Sequence, residues 1–282
     1  MPHLSALFCY PVKSCRGVAL SEAALDGRGV VHDRGMMIVD ANDHQVTQRT
    51  HPVLARIATA LTDDALLLRA PGADELSVPW HAAKGGPART RREVVIWRDT
   101  VVADDVGDSA ARWLTEVIGQ PCRLVTIGER SQRSRPPGHL PASAHPDAHA
   151  RTMEIAFPDG WPLLVVSEES LDDLNRRLDL PEALGMDRFR PNLVVAGCEA
   201  PYAEDAWKAF RVGEVRLLGG GPCARCVITT TDQQTLERDR EPLRTLATYR
   251  RTADGEVVFG QNALLAAPGG WLRVGDEVTP ES

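Results

Sequence analysis

The amino-acid sequence predicts a mainly β protein with some α structure, organised as two β-rich halves. Short apolar segments alternate with turn residues along most of the chain, and amphipathic helical patterns are few. A polar stretch without apolar periodicity separates the two halves. Many short strands with few helices are typical of a barrel or a sandwich. We therefore expect a β-barrel-like domain at residues 1–127, a linker at 128–150 and a second β-barrel domain at 151–282.

The first half is predicted to contain several strands and then one helix. The helix begins near Asp108 or Ser109, either of which can cap its N-terminus with a side-chain oxygen. Gly119 followed by Pro121 predicts its end, since glycine favours the C-cap and proline cannot continue the helix. The predicted strands cover residues 4–10, 35–40, 66–68 and 93–97.

Residues 128–150 form the predicted linker or long loop. The segment is rich in Arg, Ser, Pro, His and Ala. Its apolar residues follow neither helical nor strand spacing, so no regular element is predicted there.

The second half is predicted to begin with a strand at residues 163–166 and a helix capped by Ser167. Leu171, Leu174 and Leu178 lie on one face of that helix, which predicts that this face packs on the core. The remaining predicted strands cover residues 193–196, 215–218, 227–231, 257–260, 264–267 and 272–278.

The charge balance excludes a whole-chain nucleic-acid binder. The 282 residues carry 32 basic and 39 acidic side chains, which give a net charge of −7. A polybasic surface for nucleic acid or anionic lipid would need the opposite balance. Any site for an anion must therefore be local.

The sequence also predicts a cytoplasmic protein. No apolar run approaches the ~20 residues of a membrane span, and the N-terminus lacks a signal-peptide pattern. The six cysteines are unevenly spaced in a chain without an export signal, so we expect reduced thiols. The sequence does not predict an oligomeric state.

Residues 219–232 are the most informative stretch. Three glycines and Pro222 predict a loop whose backbone can approach a ligand, and the β-branched residues 227–231 predict a strand. Between them lie Cys223 and Cys226, separated by Ala224 and Arg225. The two thiols are therefore expected at a junction between a loop and a strand.

This Cys-x-x-Cys pair has several interpretations. A thioredoxin-like redox pair needs a helix after the motif, which the β-branched run does not favour. A zinc ribbon needs a second pair of ligands, and no histidine follows His149. One thiolate could instead bind a soft metal, with Arg225 beside it to bind an anionic cofactor. Two buried structural thiols are the remaining alternative.

Basic residues also cluster in three turns elsewhere in the chain. Arg188, Arg190 and Asn192 surround a proline just before a predicted strand, where guanidinium groups could bind a phosphate or a heterocycle. Near the N-terminus, one turn contains Lys13 and Ser14, and the next contains Arg34. None of these turns matches a phosphate-binding P-loop.

Seven motifs together identify a family resemblance. In order they are YPVKSCRG, HDRG, SEESLDDLN, DRFRPNLVVAGC, YAEDAW, PCARCVITTTD and FGQN. Their order resembles the MOSC-domain proteins, and in particular the amidoxime-reducing component group. The resemblance implies an N-terminal β-barrel domain followed by a C-terminal MOSC domain.

The resemblance also implies a molybdenum–molybdopterin cofactor. By position, Cys226 would be the catalytic residue and the protein ligand to molybdenum. The residues that would hold the pterin and its phosphate are Lys13, Ser14, Arg34, Arg190, Asn192 and Arg225, with Gln261 or Asn262 nearby. The implied reaction is the reduction of small N-hydroxylated compounds, such as amidoximes and N-hydroxylated bases, to amidines or amines.

The sequence departs from the family pattern at two places. Ala224 replaces a serine of some relatives, and residues 159–162 differ from the Thr-Ser-Pro of the animal enzymes, so the contacts there are not predicted. The remaining cysteines cannot form a four-thiolate iron–sulfur motif, and no dinucleotide fingerprint follows a strand. We therefore expect a separate protein to deliver the electrons. The alternative function is a carrier of the molybdenum cofactor or of sulfur that uses Cys226 without turnover.

Overall fold

The structure, a computed structural model, describes residues 1–81, 89–128, 131, 133–137 and 144–281. Within residues 1–128 the chain forms short strands and one long helix, α1 (Asp108–Ile118). The strands are β1 (His3–Cys9), β2 (Val18–Leu20), β3 (Glu22–Asp26), β4 (Gly29–Val30), β5 (Met36–Asp40), β6 (Ala58–Leu61), β7 (Ala65–Arg69), β8 (Leu76–Pro79), β9 (Arg91–Ile96), β10 (Asp99–Asp105) and β11 (Cys122–Thr126).

The described residues after 128 add further strands and three α-helices. The strands are β12 (Ser134–Arg135), β13 (Met153–Glu154), β14 (Leu163–Ser167), β15 (Leu193–Ala196), β16 (Ala209–Val212), β17 (Val215–Ala224), β18 (Val258–Leu265), β19 (Trp271–Arg273) and β20 (Val278–Glu281). The helices are α2 (Pro146–His149), α3 (Glu168–Arg177) and α4 (Leu243–Leu246). The predicted mainly β fold class is confirmed.

The main sheet contains eight strands in the order β2-β1-β15-β14-β18-β17-β16-β20. A four-stranded sheet, β5-β11-β10-β9, and the three-stranded sheet β6-β7-β8 lie within the first half of the sequence. The first strand, β1, pairs with β15 in the main sheet, and β19 near the C-terminus pairs with β3. The two halves of the sequence therefore share β ladders.

Strand β14 has both faces buried. Leu163 and Val165 belong to the core cluster that also contains Phe210. The alternate residues Leu164 and Val166 pack on the opposite face, in the cluster that contains Phe189 and Phe259. This two-residue alternation follows from the pleat of the strand, and it explains why β14 appears in the sequence as a continuous apolar run.

Helices α1 and α3 confirm the two helices predicted from sequence. Ser167 caps α3, and its Oγ accepts a hydrogen bond from Ser170 N at 3.1 Å. Gly119 ends α1 with a φ of 81°. The expected side-chain cap of α1 is wrong, because Gly107 occupies that position and Asp108 instead accepts a hydrogen bond from Arg123. Among the described residues, no helix has the length and apolar character needed to cross a membrane.

The glycine-rich stretch is a strand, and the prediction of a loop is wrong. Strand β17 includes all three glycines and Pro222, and it lies between β16 and β18. Its register with β18 shifts twice, between Gly219 and Gly221 and between Pro222 and Ala224. Proline and glycine are tolerated within a sheet at such bulges. Glycine and proline both weaken a regular strand, which is why the sequence predicts a loop there.

Gly219 is required because another segment passes very close to it. A Cβ atom placed there would lie 2.2 Å from the carbonyl oxygen of Trp207 and 3.2 Å from that of Lys208. These are backbone atoms, so the clash cannot be relieved by a side-chain rotation. We expect Gly219→Ala to lower the free energy of unfolding by about 1–3 kcal/mol, the range for overpacked sites.

Urea denaturation followed by circular dichroism would measure this effect. Gly27→Ala is the matched control, because a Cβ atom at Gly27 has no neighbour within 4 Å. Equal midpoints for the two variants would contradict the expectation.

The predicted strand at residues 227–231 is also wrong. Residues Val227–Thr230 form a 3-10 turn, and Val227 is 45% exposed. The Oγ1 atom of Thr229 donates to the carbonyl oxygen of Cys226 at 3.0 Å, and Thr230 Oγ1 donates to that of Val227 at 2.8 Å. Such local side-chain bonds compete with the ladder bonds of a strand. Cys226 therefore precedes a turn.

Two further strand boundaries differ from the predictions. The expected strands at residues 257–260 and 264–267 are parts of the single strand β18. The expected strand at residues 272–278 is divided into β19 and β20. Gly275 lies between them with a φ of 98°, so the chain turns there.

The expectation of no regular element in residues 128–150 is wrong, because their described part contains β12 and α2. Strand β12 pairs with β13, and Ala144 and Ala148 are buried. The backbone N of His145 donates to the carbonyl oxygen of Gly219 at 2.9 Å. Residues 129–130, 132 and 138–143 of this segment lie outside the described residues. The division into two domains and a linker remains a prediction.

Candidate functional site

A cavity of about 720 Å³ is lined by residues from both halves of the sequence. Lys13, Ser14 and Arg34 line it from the first half. The second half contributes Arg190, Asn192, Arg225, Cys226, Arg188 from the same basic turn, and Trp161, which was not predicted. Of the predicted site residues, all except Gln261 line this cavity.

Arg34 is held by a dense set of hydrogen bonds. Its Nη1 atom donates to Asp33 Oδ2 at 2.5 Å and to Asn192 Oδ1 at 3.0 Å. Its Nη2 atom donates to the carbonyl oxygen of Arg190 at 3.2 Å. The Asp33 side chain is only 2% exposed, so the pair is buried. The geometry fixes the direction of the Arg34 guanidinium at the cavity wall.

Arg190 lies next to Arg34. Both residues have left-handed backbone, with φ of 56° and 47°. Their guanidinium carbons lie 4.3 and 4.4 Å from the ring centroid of the buried Tyr10. Arg190 Nη1 also donates to the carbonyl oxygen of Cys15 at 2.6 Å. The aromatic face and the carbonyl groups compensate for bringing two cations together.

Asn192 supports the site mainly through other groups. Its Oδ1 accepts from Arg34 and from the backbone N of Leu164, and its Nδ2 donates to the carbonyl oxygen of Phe8. The residue is 1% exposed. Its amide therefore orients Arg34 and links β14 to β1.

Arg225 has a buried nitrogen without a partner. Its Nε donates to the carbonyl oxygen of Phe259 at 2.8 Å, and its Nη1 donates to that of Phe189 at 2.9 Å. Its Nη2 is buried and has no hydrogen-bond acceptor among the described residues. A buried guanidinium N–H normally has an acceptor, so the unpartnered Nη2 indicates an acceptor that the described protein atoms do not supply.

Lys13 forms an ion pair that the sequence did not predict. Its Nζ donates to Asp159 Oδ1 and, at 3.0 Å, to the carbonyl oxygen of Phe157. Arg49 Nη2 donates to Asp159 Oδ2 at 3.2 Å, and Trp97 Nε1 donates to Asp159 Oδ1 at 3.2 Å. Asp159 belongs to the segment whose contacts the sequence left unpredicted, and its side chain is 53% exposed.

This cluster changes the ionisation of both partners. Burial lowers the pKa of Lys13 below its usual value, and the charge of Asp159 opposes that shift. The Asp159 side chain is only partly desolvated by its neighbours, which would raise its pKa, but Lys13 and Arg49 outweigh this effect and hold that pKa well below its usual range. The Asp159 carboxylate is therefore charged at neutral pH, and it is the counter-ion of Lys13.

Gln261 does not line the cavity. Its Nε2 donates to the carbonyl oxygen of Trp207 at 3.2 Å, on the side of β18 that faces away from the cavity lining. The neighbouring Asn262 lines the cavity and donates through Nδ2 to the carbonyl oxygen of Pro222 at 3.2 Å. Consecutive residues of a strand point to opposite faces, which separates the two amides.

Both thiols of the Cys-x-x-Cys motif line the cavity and both are free. Cys223 lies on β17, and burial raises the pKa of its thiol. Cys226 follows the strand, in extended backbone with φ of −128° and ψ of 178°. Among the described residues, no group of three or more His, Cys, Asp or Glu side chains is placed to hold a metal ion.

Comparisons with known proteins agree with the sequence motifs. The family model described as the MOSC N-terminal beta barrel domain matches residues 1–121, and that of the MOSC domain matches residues 152–279. Mitochondrial amidoxime reducing component 2 of Bos taurus is 32% identical over 98% of this chain and 82% of its own length. Mitochondrial amidoxime-reducing component 1 of Mus musculus is 35% identical over 98% and 81%.

A plant relative matches over a smaller share of its own length. Molybdenum cofactor sulfurase of Oryza sativa is 32% identical over 99% of this chain and 36% of the plant protein. The family models and the animal relatives together cover nearly the whole chain. The chain belongs to the MOSC-domain family, in the group that joins a MOSC N-terminal β-barrel domain to a MOSC domain and includes the amidoxime-reducing components.

Proposed function

We propose that this protein uses a molybdenum–molybdopterin cofactor to reduce small N-hydroxylated compounds. The observation that carries the proposal is the buried, unpartnered Nη2 of Arg225, next in sequence to the cavity thiol of Cys226. An anionic ligand would supply the acceptor that this nitrogen lacks. A thiolate is the donor that a soft metal prefers.

The cavity residues divide between metal and anion binding. Cys226 would be the protein ligand to molybdenum and the catalytic residue. Asn192 would act through Arg34, and Gln261 would act only through the packing of β18 on Trp207. The residues that would hold the pterin and its phosphate are Lys13, Ser14, Arg34, Arg190 and Arg225.

The reaction needs two electrons and two protons for each N–O bond, and it releases water. When bound, the cofactor supplies the redox chemistry that breaks this bond. The chain itself orients the anion through fixed guanidinium groups and offers one thiolate ligand. Cys223 lines the same cavity but lies on β17, and the family motif assigns the metal ligand to Cys226 and not to Cys223.

The relatives support this proposal by their names. Two of them are named as amidoxime-reducing components, and they match 98% of this chain. We propose that the electrons come from a separate protein and that the enzyme works in the cytoplasm, although these animal relatives are named mitochondrial.

A cofactor or sulfur carrier is the second candidate function. The match to the rice molybdenum cofactor sulfurase favours it. In that case Cys226 would hold sulfur or the pterin without turnover. Reduction of benzamidoxime to benzamidine by the metal-loaded protein with an artificial electron donor would support the enzyme, and metal loading without any reduction would support the carrier.

The cofactor can be tested without turnover. We expect protein from a host that makes molybdopterin to contain molybdenum and to melt about 5–10 °C above protein from a molybdopterin-deficient host, since a tight ligand stabilises the native state by mass action. Metal analysis and thermal denaturation would measure both quantities. Equal melting temperatures with no molybdenum in either sample would exclude the cofactor.

A further inference from the structure

One side of the cavity is formed by a tight turn that the proposed cofactor site does not use. Thr252, Asp254 and Glu256 line the cavity from this turn. The backbone N of Thr252 donates to the carbonyl oxygen of Glu256 at 2.9 Å, and Gly255 N donates to that of Thr252 at 2.9 Å. Thr252 Oγ1 also accepts from Glu256 N at 3.1 Å. We name residues 252–256 the entrance turn, because its acidic side chains are exposed.

The entrance turn presents two carboxylates that form no ion pair among the described residues. Across the described part of the chain, neither Asp254 nor Glu256 has a basic nitrogen within 4.0 Å. Arg251 lies beside the turn, but its Nη1 donates to the carbonyl oxygen of Gly255 and the residue does not line the cavity. The Arg251 guanidinium keeps its charge in this hydrogen bond and offsets one of the two carboxylates, so the turn together with Arg251 retains a net negative charge.

The nearby basic side chains are committed to other groups. Arg49 pairs with Asp159, and Arg188 pairs with Asp232 at 2.7 Å. Deeper in the cavity, Arg34 pairs with Asp33, and an anionic cofactor would neutralise the remaining guanidinium groups. With the cofactor bound, the two carboxylates of the entrance turn would be left as unpaired charges at the mouth.

We propose that Asp254 and Glu256 are specificity-determining residues that favour substrates with a positive charge. The inference rests on the proposed function, because it assumes that N-hydroxylated compounds enter this cavity. Unpaired carboxylates at the mouth of a cleft attract cations and repel anions, and they raise the local concentration of the favoured ligand. The selected class is N-hydroxylated compounds that carry a separate cationic group.

Binding of the reaction product benzamidine tests this inference without turnover. Benzamidine is a cation at neutral pH, and benzamide is a neutral molecule of the same shape. We expect isothermal titration calorimetry of the metal-loaded protein to show tighter binding of benzamidine. In Asp254→Asn/Glu256→Gln, we expect benzamidine binding to weaken about three- to tenfold, as expected for loss of two exposed charges, with benzamide unchanged.

A matched control removes two charges from another turn. Asp63 and Asp64 are exposed, join β6 to β7 and line none of the described cavities. We expect Asp63→Asn/Asp64→Asn to leave benzamidine binding unchanged. Equal weakening in both double variants would assign the effect to the net charge of the protein and overturn the inference.

Kinetics give a second measurement. We compare kcat/KM for benzamidoximes that carry a trimethylammonium or a carboxylate group at the para position. The ratio should favour the cationic compound, should fall in Asp254→Asn/Glu256→Gln, and should decrease with salt because exposed charges are screened within ~10 Å at 0.1 M. Reduction of both compounds at equal kcat/KM would overturn this inference alone. Absence of any reduction, with the benzamidine preference intact, would overturn the proposed function instead.

Discussion

Cys226→Ser is expected to abolish the reduction of benzamidoxime and to lower the molybdenum content of the purified protein. Serine preserves the size of the side chain but replaces a soft thiolate with a hydroxyl that remains protonated at neutral pH. Changes in residues that merely support a metal ligand reduce metal affinity or activity about 10–100-fold. Loss of the ligand itself should therefore lower turnover at least about a hundredfold.

Activity with an artificial electron donor and metal content per chain would measure this effect. Cys223→Ser is the matched control, because Cys223 lines the same cavity but is not the thiol that the family motif assigns to the metal. It should retain substantial activity. Cys198→Ser, at a partly exposed cysteine outside the cavity lining, should do the same. Full turnover by Cys226→Ser, or loss of turnover only in Cys223→Ser, would show that Cys226 is not the metal ligand.

The choice of Cys226 shows what the sequence could and could not predict. Local patterns predicted both thiols at a junction between a loop and a strand, but Cys223 lies on β17 and Cys226 directly precedes a 3-10 turn. The error arose because the hydroxyl groups of Thr229 and Thr230 bond to nearby carbonyls and turn the chain. The preference for Cys226 as the metal ligand therefore depends on the family motif.

The cavity itself depends on contacts between distant parts of the chain. Periodicity predicted α1 and α3, because each buries one face within a short segment, and a continuous apolar run predicted β14. It could not predict that Arg34 would meet Asn192, which lies 158 residues further along the chain. Only the order of the family motifs indicated that these residues belong to one site.

Two features of the site had no signal in the sequence pattern. The ion pair of Lys13 with Asp159 joins residues 146 positions apart, and neither residue lies in a charge pattern that would predict the pairing. The burial of the Gln261 side chain against Trp207, away from the cavity, depends on which face of β18 borders the cavity. The motif FGQN places two amides side by side, and the pleat of the strand then directs only Asn262 to the cavity.

Arg34→Met is expected to destabilise the protein even without a cofactor. The substitution leaves the Asp33 carboxylate, whose side chain is 2% exposed, without its counter-ion. Removing one partner of a buried ion pair typically lowers the free energy of unfolding by about 3–5 kcal/mol. Urea denaturation of protein from a molybdopterin-deficient host would measure this loss without any contribution from cofactor binding.

The double variant Asp33→Asn/Arg34→Met separates the unpaired charge from lost packing. An asparagine at position 33 could still accept the hydrogen bond that Asp33 Oδ1 receives from the backbone N of Tyr10. We therefore expect the double variant to be more stable than Arg34→Met, with a coupling of about 0.5–3 kcal/mol. Arg69→Met is the matched control, because its pair with Glu75 is exposed and should contribute less than about 1 kcal/mol. If Arg34→Met and Arg69→Met unfold at the same urea concentration, the buried pair does not stabilise the fold, and Arg34 is held in place for the ligand alone.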